Sequence, residues 1–147
     1  MADPRLLADL QKAEGCRLVA YRDINGFWSL GYGHFLDQSI DWTGQEWTLD
    51  TARQTLALDV DGAAHDAASL PEWSQLDTPC RQNAVIELVF NMGLHTWTTF
   101  KLTRAAIQAQ DWQAAHDNLL IGPWQSEVGP ARSQRLAGYL LSGSYSP

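Results

Sequence analysis

The chain has 147 residues, of which 45% are hydrophobic and 18% are charged, and its formal net charge is −7. This length suits one domain with a real hydrophobic core, and the composition is that of a soluble globular protein. The acidic balance argues against nucleic-acid binding, which usually depends on a basic face. It also argues against strong electrostatic attraction to an anionic surface.

Neither a membrane span nor a secretion signal is visible in the sequence. No apolar run approaches the ~20 residues that a membrane span needs, and the N-terminus MADPRLLADLQ lacks a basic start and an apolar core. We therefore expect the protein to accumulate in the cytoplasm of the cell that makes it. Synthesis there favours unpaired thiols, so we expect Cys16 and Cys80 to act as small buried hydrophobic side chains.

The first half of the chain predicts a helix, a small sheet and a long helix. Asp3 can cap a helix over residues 3–14, with Pro4 at its first position and Gly15 as its stop. Partial period-two spacing and the hairpin signal Asn25-Gly26 then predict a small antiparallel sheet over residues 17–36. A polar loop follows over residues 37–47. Thr48 caps the long helix, which should end near Ala68, before Leu70-Pro71.

The second half of the chain is predicted to be helical. Thr78-Pro79 starts a buried helix that Gly93 closes. Shorter helices are predicted over residues 98–110, 111–120 and about 131–141. The whole is an α+β fold, mostly helical, in which a small antiparallel sheet lobe is joined by a long helix to a helical lobe. We expect a single domain over residues 1–147, with a sheet lobe at about 15–60 and a helical lobe made of 1–14 plus 65–147.

One short stretch carries the candidate chemistry. Glu14 and Asp23 are nine positions apart, and the hydroxyl of Ser29 follows six further on. Glu14 closes the first helix, where the helix dipole disfavours a carboxylate anion and so suits a general acid. Asp23 lies in a polar turn that suits a general base. Each carboxylate alone is more often an ordinary surface or turn residue, but two carboxylates in different settings are what paired acid–base chemistry requires.

These residues carry a resemblance. Glu14-Gly15, Tyr21-Arg22-Asp23 and the segment 26–34 (GFWSLGYGH) resemble the phage-type lysozymes, muramidases of the T-even phage kind. Weaker matches follow in the same order along nearly the whole chain. They are the Asp59 region, AVIELVFNMG at 84–93, Phe100 with Thr103, Trp112 to Asn118, Trp124, and Arg132 with Arg135. The family commonly has threonine where this chain has Ser29.

The resemblance implies a function and a site. The chain would hydrolyse the β-1,4 bond between N-acetylmuramic acid and N-acetylglucosamine in peptidoglycan, with inversion at the anomeric carbon. Glu14, Asp23 and Ser29 would be catalytic. The family also implies a structural ion pair between His34 and Asp59. Family positions that contact the sugar correspond to Phe35, Phe90, Thr103 and Asn118, although Phe90 could equally be simple core.

The resemblance also implies how the protein works in the cell. It would be a monomer without metal or cofactor, released to the periplasm and cell wall through a phage holin. His65, His95 and His116 show no metal-ligand spacing, which agrees with the absence of a metal. Two alternatives remain open. A lytic transglycosylase needs the glutamate but no positioned water, so Asp23 and Ser29 argue against it. A wall-binding relative without catalysis would need a lost carboxylate, whereas both carboxylates are present.

Overall fold

The structure is a computed structural model that describes residues 2–145. Within these residues it contains eight α-helices, one 3₁₀ helix and one three-stranded antiparallel sheet of order β1-β2-β3. The elements in chain order are α1 Pro4–Glu14, β1 Arg17–Arg22, β2 Trp28–Gly31, β3 His34–Phe35, α2 Leu49–Ala68, the 3₁₀ helix Pro71–Gln75, α3 Pro79–Met92, α4 Leu94–Thr98, α5 Lys101–Gln108, α6 Trp112–Leu119, α7 Trp124–Val128 and α8 Pro130–Ser142. The predicted α+β class is confirmed.

The chain forms two compact units, Met1–Gly62 and Ala63–Pro147, here called the sheet unit and the helical unit. The boundary falls within α2. The sequence analysis grouped residues 1–14 with the helical lobe, whereas the compact units place α1 with the sheet. No helix in the described part of the chain is both long enough and apolar enough to cross a membrane.

The first helix begins and ends where its sequence signals predict. Oδ1 of Asp3 accepts a hydrogen bond from the backbone N–H of Arg5 at 2.8 Å, and proline occupies the first turn. Gly15 ends the helix at φ 66°, a conformation that side-chain-bearing residues rarely adopt. Leu6 and Leu10 are buried. Glu14 is therefore the last helical residue, held next to the start of the sheet.

The predicted hairpin is confirmed at Asn25-Gly26. The N–H of Asp23 donates to the carbonyl of Phe27 at 2.8 Å, and the N–H of Gly26 donates to the carbonyl of Asp23 at 2.9 Å. Gly26 has φ 83°, the left-handed conformation that the last residue of a three-residue hairpin loop adopts after the turn. Tyr21 pairs with Ser29 across β1 and β2, and Ser29 pairs with Phe35 across β2 and β3.

The opposite face of the sheet forms the core of the sheet unit. Trp28 and Leu30 are buried there. A Cβ on Gly31 would stand 3.1 Å from the ring of Trp47 and 3.4 Å from Cβ of Ala52, so only glycine allows β2 to approach so closely. The hydroxyl of Thr48 caps α2, and buried Leu56 continues its inner stripe, as the sequence analysis predicts a capped long helix here.

The helical unit is built around α8. This helix packs against α3, α6 and α7, and α5 packs against α6. Thr78 caps α3, and Gly93 ends it at φ 84°, both as predicted. Large side chains that are completely buried fill the core of the unit: Leu88, Trp97, Ile107, Leu119, Leu136 and Leu140.

Several predictions need correction. The predicted helix over residues 98–110 is shorter, α5 Lys101–Gln108, and it begins only after Phe100, which adopts the non-helical angles φ −80° and ψ 61°. The helices α4 and α7 and the 3₁₀ helix were not predicted. Of the two cysteines that were expected to be buried, only Cys80 is buried. Cys16 is exposed because it lies in the short connection between α1 and β1.

Candidate active site

Glu14 lies against the turn between β2 and β3. Its Oε2 would be 3.7 Å from a Cβ built on Gly33. Gly33 has φ 74° and no side chain, so the carboxylate reaches the turn without obstruction. The end of α1 and the Gly31–His34 segment are thus brought together in space.

Asp23 uses one carboxylate oxygen to hold the hairpin. Oδ1 accepts hydrogen bonds from the backbone N–H groups of Asn25 and Phe27, each at 2.9 Å. Arg22 fixes the same turn by donating from Nη1 to the carbonyl of Gly26 at 3.0 Å. Among residues 2–145, Oδ2 of Asp23 makes no hydrogen bond. That oxygen is available to accept a proton from a bound water.

Ser29 lies at the middle of a row of three side chains on one face of the sheet. Residues directly opposite each other in an antiparallel sheet project to the same face, so Tyr21, Ser29 and Phe35 form this row. Ser29 is only 2% exposed, because the larger side chains flank it. Within the described residues its hydroxyl has no hydrogen-bond partner. Asp23, two positions after Tyr21, projects to the same side.

The pKa of Tyr21 depends on the charged groups near this face. Burial raises the pKa of its phenol, and the carboxylates of Asp23 and Glu14 raise it further, whereas the guanidinium of Arg17 lowers it. Since both carboxylates act on one hydroxyl, both lie within electrostatic range of it. Glu14 and Asp23 therefore both lie near the residue that pairs with Ser29 across the sheet.

Gln38 fixes the edge of this sheet, and the sequence analysis did not identify it. Its Oε1 accepts from the backbone N–H of Trp28 at 2.6 Å, and its Nε2 donates to the carbonyls of Trp28 at 3.0 Å and Leu36 at 2.7 Å. The side chain thus bridges the segment after β3 to the start of β2. In the sequence, Gln38 is one polar residue of a polar loop, and no pattern distinguishes it.

Two exposed aromatic rings lie at one end of the row: Phe35, which belongs to it, and Phe27, which is next to it. Phe27 is 47% exposed and Phe35 is 64% exposed, and their rings meet edge to face with centroids 5.9 Å apart. Together with Leu36 and Gln38 they line a cavity of about 220 Å³. The sequence analysis selected Phe35 but not Phe27, although Phe27 alternates with Ser29 and so belongs to the same face.

His34 and Asp59 are in contact within the sheet unit. Nδ1 of His34 lies 2.6 Å from Oδ2 of Asp59 on α2, and the imidazole also packs against the ring of Trp47 at 5.8 Å between centroids. Both side chains are about one-third exposed. The contact joins the β2–β3 turn to the long helix.

Two of the candidate sugar contacts share a cavity in the helical unit. Thr103 and Asn118 both line a space of about 300 Å³, where Thr103 is 2% exposed and Asn118 is half-buried. The other lining residues are Thr99, Phe100, Lys101, Leu102 and Ile121. Phe90, on α3, is half-buried and is not among the residues that line this cavity.

The described residues offer no obvious metal centre. No three histidine, cysteine or carboxylate side chains between residues 2 and 145 are grouped so that they could hold a metal ion.

Comparison with known proteins gives three similarities. The family model described as phage lysozyme matches residues 11–139. A protein of Dictyostelium discoideum named probable T4-type lysozyme 1 is 24% identical over 159 aligned residues, which cover 92% of this chain and 92% of that protein. A protein named endolysin, from Acyrthosiphon pisum secondary endosymbiont phage 1, is 36% identical over 98 residues, which cover 65% of this chain and 62% of that protein.

Proposed function

Because the chain belongs to the phage lysozyme family, we propose that it is an endolysin that cleaves the β-1,4 bond between N-acetylmuramic acid and N-acetylglucosamine in bacterial peptidoglycan. Lysozyme-type glycoside hydrolysis and a peptidoglycan substrate are properties of the family. The specific bond and its stereochemistry are our proposal. The observation that supports it is that Glu14 and Asp23 both act on Tyr21, which pairs with Ser29, while Oδ2 of Asp23 makes no hydrogen bond within the described residues.

Glu14 acts as the general acid in this proposal. It gives its proton to the glycosidic oxygen as the bond between that oxygen and the anomeric carbon breaks. Its place against the β2–β3 turn supports this role, because Gly33 brings no side chain between the turn and the carboxyl group.

Asp23 and Ser29 hold the water that attacks from the other side of the sugar ring. Oδ2 of Asp23 takes a proton from the water, while Oγ of Ser29 orients it. Attack on the side opposite the leaving group inverts the anomeric carbon. Inverting enzymes leave about 6.5–9.5 Å between their two carboxyl groups, whereas retaining enzymes leave about 5–5.5 Å. A measured separation of the retaining kind would contradict this mechanism.

Sugar binding depends on stacking and hydrogen bonds. With a net charge of −7, the chain gains little from attraction to an anionic wall. We assign Phe35 as a stacking surface, and Thr103 and Asn118 as groups that orient sugar hydroxyls, because a few convergent polar groups fix a ligand in a pocket. Phe90 is the weakest of these assignments, since it does not line the same cavity. His34 and Asp59 hold the turn in place.

The test is clearing of permeabilised Gram-negative cells. Glu14→Gln and Asp23→Asn should each lower the rate about 10²- to 10⁴-fold, because each removes one proton-transfer group and leaves the shape of the side chain intact. Circular dichroism should show both variants folded. Clearing that survives Glu14→Gln would mean that another residue is the acid.

Product analysis separates the two alternative functions. Mass spectrometry of digested wall should show reducing ends, with a mass one water higher than the anhydro ends that a lytic transglycosylase makes. Early proton NMR spectra of a soluble substrate should show the α-anomer first, as inversion requires. Binding of wall without any cleavage by the wild-type protein would favour the non-catalytic relative.

A further inference from the structure

Tyr21 occupies the candidate site but has no assigned role. It lies on β1 directly opposite Ser29, and its side chain therefore projects to the face that carries Ser29 and Asp23. The guanidinium of Arg17 stacks over its ring, with Cζ 4.0 Å from the ring centroid. This cation–π contact restrains the ring, so the phenol is held in place before any substrate arrives.

The hydroxyl of Tyr21 is available to a ligand. It makes no hydrogen bond to any other residue in the described part of the chain. Burial and the two nearby carboxylates raise the pKa of the phenol by more than Arg17 lowers it. The group therefore keeps its proton throughout the neutral pH range and can donate one hydrogen bond while accepting another.

We propose that Tyr21 is a further catalytic residue, whose hydroxyl binds the attacking water together with Ser29 and Asp23. This inference rests on the proposed hydrolytic function. The water gives one hydrogen bond to Oδ2 of Asp23 and one to Oγ of Ser29, and it receives one from the Tyr21 hydroxyl. Its remaining lone pair points to the anomeric carbon.

The atoms balance in the reaction step. The water oxygen forms a bond to the anomeric carbon, and one water proton passes to Asp23. The glycosidic bond breaks with its electron pair on the leaving oxygen, which takes the proton of Glu14. Tyr21 keeps its own proton and holds the water in line. This second hydroxyl also compensates for the serine, which lacks the methyl group that restrains the rotamer of a threonine.

The experiment compares Tyr21→Phe with the wild-type full-length protein on a soluble peptidoglycan oligosaccharide. Loss of one hydrogen bond to the attacking water should lower kcat about tenfold. The KM should change less than twofold, because the lost contact is to water rather than to sugar. Tyr32→Phe is the matched control, since Tyr32 lies in the β2–β3 turn and is buried. It should leave kcat unchanged.

A double-mutant cycle with Ser29→Ala tests whether the two hydroxyls bind the same water. The combined loss in kcat should be smaller than the product of the two single losses, because residues that share one partner do not act independently. Multiplicative losses would overturn the proposal. A Tyr21→Phe enzyme with wild-type kcat would also overturn it, as would a loss confined to KM or a lower unfolding midpoint that accounts for the lost activity.

These results are distinguishable from failure of the proposed function. If the wild-type protein releases no reducing ends from peptidoglycan, the hydrolytic function itself is wrong. If the wild-type protein is active and Tyr21→Phe equals it, only the role of Tyr21 is wrong.

Discussion

The two compact units use their carboxylates in different ways. In the helical unit, Glu72 is 0% exposed and both of its oxygens are bonded, to Nε1 of Trp97 at 2.9 Å and to Nε and Nη2 of Arg104 at 2.7 and 3.0 Å. Glu87 is 1% exposed and accepts from Arg132 and Arg135. In the sheet unit, Asp23 keeps one oxygen that makes no hydrogen bond within the described residues.

This difference separates structural from chemical carboxylates. A buried charge is tolerated only when it is paired and fully hydrogen-bonded, and removal of one partner leaves the other charge buried and uncompensated. A catalytic carboxylate needs the opposite condition, which is an atom still able to bind water or substrate. Changes at Glu72 should therefore affect stability, and changes at Asp23 should affect the rate.

The largest expected effect on stability is that of Glu72→Gln. The amide keeps the shape of the side chain but leaves the half-buried guanidinium of Arg104 without its counter-charge, and such a loss costs about 3–5 kcal/mol. The hydrogen bonds that Arg104 donates to Glu72 raise the pKa of the guanidinium, so it remains charged and cannot avoid the cost by losing its proton. Urea unfolding of the full-length protein measures the effect.

Glu127→Gln is the matched control for this measurement, because Glu127 is an exposed glutamate of the same unit. It should change the free energy of unfolding by less than about 0.5 kcal/mol. If both variants unfold at the same urea concentration, the hydrogen bonds of Glu72 with Trp97 and Arg104 do not stabilise the protein. The role of Glu72 as a structural carboxylate would then be wrong.

The second expected effect concerns the end of α8. Gly143 ends this helix at φ 69°, and a Cβ there would stand 2.6 Å from Nη1 of Arg81. The guanidinium cannot move aside freely, because it donates to the carbonyls of Leu140 at 2.8 Å and Leu141 at 3.0 Å. Gly143→Ala should therefore lower the free energy of unfolding by about 2 kcal/mol, from backbone strain plus lost hydrogen bonds.

Gly122→Ala separates the two causes. Gly122 has φ 99°, but nothing lies within 4 Å of a Cβ at that position. It should show only a backbone cost, and this cost is at least as large as that at Gly143, because φ 99° lies further from the left-handed helical region than φ 69°. A larger loss in Gly143→Ala would therefore give a lower limit on the cost of displacing Arg81. A loss in Gly143→Ala below about 1 kcal/mol would show that Arg81 adapts without cost.

The features that the sequence analysis predicts correctly are local. Asp3 and Thr78 cap helices through hydrogen bonds to N–H groups two and three residues ahead, so the sequence itself contains the signal. Glu72 and Arg104 are 32 positions apart, and no sequence pattern around either residue predicts that they pair. Gln38 bonds to Trp28 ten positions away, through a loop whose path depends on the packed core.

The candidate site follows the same rule. Glu14, Asp23 and Ser29 lie within one short segment, and their spacing resembles a known family, so sequence was sufficient to select them. The row of Tyr21, Ser29 and Phe35 requires the register of the sheet, which a hairpin signal does not specify when β1 contains an irregularity between Arg17 and Tyr21. Only coordinates reveal Tyr21 as a neighbour of the site.

The smallest expected effect is that of Gln38→Met. It should change both stability and substrate binding, because Gln38 is a structural residue at the edge of the candidate site. Gln38→Met keeps the length of the side chain and removes its three hydrogen bonds to Trp28 and Leu36. The pairing of β2 with β3 spans only two residue pairs, so it depends on this support. We expect a loss of about 1 kcal/mol in stability and a several-fold rise in KM, since Phe35 lies on β3.

Gln45→Met is the control for this change. Gln45 is an exposed glutamine of the same loop, and its side chain makes one long hydrogen bond, to the carbonyl of Glu46 at 3.4 Å. It should alter neither KM nor the unfolding midpoint. A KM that stays constant in Gln38→Met while stability falls would mean that Phe35 does not contact the sugar. A loss in kcat that exceeds the rise in KM would instead indicate that Gln38 positions the hydroxyl of Ser29, because Ser29 lies on β2 next to Trp28.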